Sequence, residues 1–176
     1  MTVINKKTHY LLNDFRIESL NQIITAVDIS ISNLKKKTEV VSWYDSLWLL
    51  EETEPLFGLA FISFQNYING SIKDFSENTV NKKKYYQIEP KFKNFEKSSI
   101  ELIIGLANYS KHKDEFELHK GTRDIFECFR LNLDNDLAID KSPFFEGLTI
   151  LNDKWDLIEI LKIVTHWRKK LWTTEV

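Results

Sequence analysis

The sequence predicts an all-α fold: one helical bundle of about five to six helices, forming a single domain over residues 1–176. Three observations carry this. Apolar residues recur at helical spacing in four long segments. Turn-forming residues are scarce, with 5 Gly and 3 Pro in 176 residues. One segment, Ile100 to His112, is apolar almost all the way round, as in a helix enclosed by a bundle or by a second subunit.

The elements follow in order. Residues 14–37 form a first long helix, with Phe15, Leu20, Ile24, Val27, Ile31 and Leu34 on one face. Asn13 or Asp14 can cap its start, and Lys35, Lys36 and Lys37 suit the negative end of its dipole. A second helical region opens at Ser42, restarts or kinks at Thr53-Glu54-Pro55, and continues to about Phe75. Residues 76–97 are the least regular part. Lysines alternate there with aromatics, in Asn81 to Tyr86 and again in Pro90 to Phe95. The first expectation is a solvated loop whose aromatics dock on the bundle; the alternative is a strip for single-stranded nucleic acid.

Ser98 and Glu101 have the spacing of a capping box, which opens the apolar helix. Gly121-Thr122 begins a further helix to residue 133, with Ile125, Phe126, Phe129 and Leu133 inward. Ser142-Pro143 begins a short helix that Gly147 ends. Asn152-Asp153 caps a last helix, about 154–172, carrying Trp155, Ile158, Leu161, Val164 and Trp167.

Composition narrows the function. Hydrophobic residues make up 43% and charged residues 28%, an ordinary globular balance, and 5 Trp, 6 Tyr and 12 Phe supply a bulky core. A net charge of −2 creates no global field for nucleic acid, though a small local RNA site remains compatible. The single cysteine, Cys128, lies in an apolar segment and reads as a core thiol, which excludes multi-cysteine metal sites. Met1 to Asn13 lacks the apolar run of a secretory signal, and no stretch approaches a membrane span, so the expected location is cytoplasmic, away from membranes. Neither a Gly-rich phosphate loop nor a Gly-x-Ser-x-Gly elbow occurs, and no cofactor is expected. His112 and His119 stand seven apart, with no His-x-x-x-His or Glu-x-x-His pair on one helix, so no metal centre is expected.

The polar groups on the apolar helix are the candidate site. Glu101, Gly105, Asn108 and His112 fall on one narrow stripe. Buried polar groups must find partners, so the stripe is a hydrogen-bond network or a site. Asn108 and His112 are one turn apart and can share a ligand. Histidine is the side chain suited to proton transfer near neutral pH. Lys111, Lys113, Lys120 and Arg123 could hold a phosphate nearby; a dipole-complementing helix end is the simpler alternative.

The stretch Leu106-Ala-Asn-Tyr-Ser-Lys-His-Lys-Asp-Glu115, in an all-helical chain, resembles the higher-eukaryote-and-prokaryote nucleotide-binding (HEPN) superfamily. The likeness covers roughly residues 14–133. It implies a helical bundle, often a homodimer, and a metal-independent RNase, toxin or defence component acting on RNA or nucleotide. His112 then matches the family's His as general acid/base, and Asn108 its polar residue. Lys111, Lys113 and Arg123 would neutralise substrate charge. The family's Arg position falls on Ala107, so the resemblance leaves two forms open: a non-catalytic member, or one in which Lys111 or Arg123 substitutes. The rival expectation is a non-enzymatic helical module for dimerisation or for a partner protein.

Overall fold

A computed structural model describes residues 6–77, 80–115, 117–133 and 138–173. Among the described residues there are eight helices, one 3₁₀ turn and no strand. They are α1 (Lys6–Leu12), α2 (Ile17–Val40), α3 (Ser46–Ser76), α4 (Lys82–Tyr86), α5 (Ser99–His112), α6 (Lys120–Cys128), the 3₁₀ turn (Ile139–Lys141), α7 (Pro143–Leu151) and α8 (Leu157–Thr173). The all-α class stands; the count is slightly above five to six, because α1 and α4 were not foreseen.

Helix α3 is the hub. It packs chiefly against α5 and α2, and also against α8. It starts at Asp45 rather than Ser42: the Asp45 carboxylate accepts from Leu47 N (2.9 Å) and Trp48 N (3.1 Å). Pro55 neither ends nor restarts it. Pro55 and Glu51 are both exposed, so the Glu51 carbonyl, deprived of its donor, can turn to water.

Helix α5 opens on the foreseen capping box. Glu101 N donates to Ser98 Oγ (3.2 Å) and Ser98 N donates to Glu101 Oε2 (3.0 Å). It is apolar on all sides because its own chain covers it: α3, α6, α7 and α8 all pack against it, and Ser99 to Ala107 are buried. Of the two coverings expected, a bundle or a second subunit, its own bundle encloses residues 99–107.

Glycines decide how close the neighbours of α5 come. At Gly147 an added Cβ would lie 2.8 Å from Leu106 Cδ2, so α7 runs through this glycine and lets α5 in close. At Gly105 the same Cβ would meet Ile125 Cγ2 at 2.8 Å, fixing the α5–α6 approach. Helix α6 stops at Cys128, not 133: Arg130 adopts a left-handed conformation (φ 58), Leu131 N reaches Phe126 O and Arg130 N reaches Glu127 O. Cys128 itself is only half-buried.

Helix α8 begins at Leu157, where Asp156 caps Ile158 N (2.8 Å) and Glu159 N (3.1 Å). Its Arg168 ties down the segment after α1: Nε lies 3.1 Å from Asp14 Oδ2, and the guanidinium also donates to the Tyr10 and Asn13 carbonyls. Tyr10 stacks on Trp172 at 4.9 Å. Among the described residues, no helix is long and apolar enough to cross a membrane.

Candidate functional site

The stripe foreseen on α5 separates into four unrelated roles. Glu101 is consumed by the capping box and also accepts from Gln87 Nε2 (3.2 Å). Gly105 makes room for α6. Asn108 turns toward α3, where Gln65 Nε2 donates to its Oδ1 (2.8 Å). Lys111 joins this group by donating to Gln65 Oε1. Partial burial, with the Lys82 charge beside it, lowers the Lys111 pKa from the ordinary lysine value. His112 makes its bond elsewhere, so Asn108 and His112 do not act as a pair.

Lys113 is taken up by structure as well. Its Nζ lies 2.7 Å from Glu54 Oε2 on α3. Glu54 is buried and its other oxygen faces Ser142 Oγ at 3.4 Å, at the start of α7. Burial works against the Lys113 charge, but the hydrogen bond and charge of Glu54 outweigh it, and the pKa is raised overall. The pair therefore pins the end of α5 to α3 and α7.

The remaining candidate forms at the turn between α5 and α6. Helix α5 ends at His112, Glu115 N donates back to His112 O (3.0 Å), and His119 occupies the N-cap of α6. This folds His119 over His112, with ring centroids 4.7 Å apart and planes at 80°. His112 Nδ1 lies 2.5 Å from Glu115 Oε1. An ionised carboxylate can only accept, so Nδ1 donates the hydrogen in this contact. His119 Nε2 lies 3.8 Å from Glu115 Oε2. The hydrogen bond from His112 is the main reason the Glu115 carboxyl sits below its ordinary pKa, against a smaller opposing effect of burial. The side chains are 31% (His112), 51% (Glu115) and 65% (His119) exposed, so the group is open to solutes. Arg123, one turn further along α6, is exposed too.

Sequence spacing had set these two imidazoles apart because no single helix pairs them. The turn brings them together, and Glu115, three residues after one and four before the other, is the member that reasoning passed over. The intervals of three and four were the available signal.

Ala107, the position of the family's Arg, is fully buried in the core and lies away from the His112 turn. In the lysine-and-aromatic segment, Tyr85 and Tyr86 are buried: Tyr86 Oη donates to Asn69 Oδ1 (2.7 Å), and Trp167 Nε1 donates to the Tyr85 carbonyl (2.8 Å). Those rings dock on the bundle, as first expected, and are not free to stack on bases. No family model, no curated protein and no solved structure matches this chain.

Proposed function

We propose that the chain is a non-catalytic helical module that self-associates through the corner between α2 and α3. One observation carries this reading. Val40, Trp43, Leu47 and Trp48 are all exposed there, with the two tryptophans 63% and 53% exposed. Trp is the residue most enriched where binding energy concentrates, and a contiguous exposed apolar patch marks an interaction surface.

The patch is held in shape before anything binds. Trp43 and Trp48 pack edge to face at 6.1 Å. Beneath them Tyr44 is buried, donates to Glu52 Oε2 (2.6 Å), and has Lys37 Nζ 3.9 Å from its ring centroid. Charges of both signs border it: Lys35, Lys36 and Glu39 on α2, Asp45 and Glu51 on the α3 side, all exposed. A two-fold axis through such a patch can set the lysines of one copy against the carboxylates of the other. Light scattering at high micromolar concentration tests this. Wild type is expected at twice 20.9 kDa, and the double variant Trp43→Ser/Trp48→Ser at 20.9 kDa with an unchanged helical spectrum. A wild-type protein that stays at 20.9 kDa overturns the reading.

A second reading, acid–base cleavage of RNA in the HEPN-like manner, is favoured by the His112–Glu115 bond. A carboxylate on Nδ1 orients a partly exposed imidazole, as suits a general acid/base. In this reading His119 is the second imidazole, and Arg123 and Lys120 supply positive charge.

A further inference from the structure

We propose that His112, Glu115 and His119 form a binding site for a divalent transition-metal ion of the zinc type. One ligand atom from each lies within 4.8 Å of the other two, and among the described residues no other group of three His, Cys, Asp or Glu does so. Two imidazoles and one carboxylate are a donor set that suits Zn²⁺, with a coordination position left for water or a solute.

With the three ligand atoms within 4.8 Å of one another, the side chains must turn to gather round an ion. In a tetrahedral centre with bonds of about 2.0–2.1 Å, neighbouring ligand atoms stand roughly 3.3 Å apart. His112 Nδ1 and Glu115 Oε1 now share a proton at 2.5 Å and must part slightly. His119 Nε2 lies 3.8 Å from the other carboxylate oxygen, Glu115 Oε2, so it must close on the group as well. All three side chains are partly exposed, so side-chain rotation can bring the ligand atoms together. The ion takes the place of the shared proton on Nδ1, which moves by way of solvent to Nε2, so His112 binds as a neutral imidazole.

The supports are firm, and of the cations around the turn Lys113 is already engaged, while exposed Lys120 and Arg123 can turn toward solvent. His112 ends α5 and His119 caps α6, and these helices meet through Gly105 against Ile125 and through Tyr109 against Phe126, ring centroids 5.6 Å apart. Lys113 beside the site is paired with Glu54. Exposed Asp114 and Glu117 on the same turn add negative charge. The proposal stands apart from both functional readings above; zinc and a proton exclude each other at His112 Nδ1.

The test is calorimetric titration of the full metal-free chain with Zn²⁺ alone. One ion per chain is expected, together with a rise in melting temperature. Co²⁺ in place of Zn²⁺ should give the visible absorption of a four- or five-coordinate centre. His119→Ala removes an exposed side chain and so leaves the fold intact. It should weaken binding by at least the about 10–100-fold that loss of a supporting outer-shell group costs, and abolish the Co²⁺ bands. His166→Ala, on α8, should change neither. No saturable uptake by wild type, uptake that survives His119→Ala, or equal losses in His119→Ala and His166→Ala would each overturn the site.

Discussion

Replacing Lys113 by Met should destabilise the protein more than replacing its partner Glu54 by Gln. The asymmetry comes from exposure: the Lys113 side chain is 33% exposed, that of Glu54 only 9%. Without Lys113, a buried carboxylate keeps one neighbour, Ser142 Oγ at 3.4 Å. Breaking a fully buried ion pair costs about 3–5 kcal/mol; because Lys113 reaches water, the expected cost is about 2–3 kcal/mol. Without the Glu54 charge, Lys113 swings into solvent and Gln retains the contact with Ser142, so the cost is about 1 kcal/mol or less. Urea unfolding at neutral pH, followed by circular dichroism, measures both. At about 2–4 °C per kcal/mol, Lys113→Met should melt roughly 4–12 °C below wild type. The double variant should fall near Glu54→Gln alone, since the stranded charge is gone. The pH dependence has a definite sign. The Lys113 pKa is raised in the fold, so the pair contributes in full below the ordinary value of 10.5 and is lost as pH climbs through the higher folded-state value. The advantage of wild type over Lys113→Met should therefore be flat from neutral pH to 10.5 and shrink above it. Equal costs for the two single variants, or a neutral Lys113→Met, would refute the reasoning and return Lys113 to the pool of ligand-binding cations.

Four further outcomes are expected. Gly105→Ala gains about 1 kcal/mol of helix propensity but drives a methyl to 3.2 Å from the fully buried Phe126 and 2.8 Å from Ile125, and overpacking at about 1–3 kcal/mol should win. Gly121→Ala meets nothing within 4 Å and has an ordinary φ, so thermal melts should show it stabilised by about 0.4–1 kcal/mol, opposite in sign to Gly105→Ala. On labelled single-stranded RNA with a chelator present, the acid–base reading expects residual cleavage that His112→Ala lowers by about 10²–10⁴-fold; identical rates leave self-association alone. Ala107→Arg, attractive from sequence as a repair of the missing Arg, should instead unfold the protein, because it places a guanidinium in the core.

What could be read from the sequence followed from local rules. Helical spacing marked α2, α3, α5 and α8, and the Ser98–Glu101 box named the start of α5 to the residue. Errors arose where distant parts of the chain decide. Pro55 and Gly147 look like breaks locally, yet both helices continue, one because its freed carbonyl can face water, the other because Leu106 needs the space. Helix α1 has no periodic stripe of its own and is held by α8. The candidate residues were named correctly as polar groups at the end of α5, but their partners Gln65 and Glu54 come from α3, more than forty positions away, and no spacing rule points to them. The exposed Trp43 and Trp48 were counted only as core bulk, since composition does not say which side of a helix faces water.

The Arg168 anchor also bears on how the molecule moves. It joins residues 158 and 155 positions apart in the chain, whereas the pairing of α2 with α3 joins consecutive segments. Closing so wide a loop adds little to the equilibrium cost, about 0.6 kcal/mol per doubling of length, but it delays the contact during folding. Helix α1 should then dock last and be released first. Its amides would exchange with solvent through a partial opening that leaves the α3–α5 core shut, giving the protein two exchange regimes rather than one.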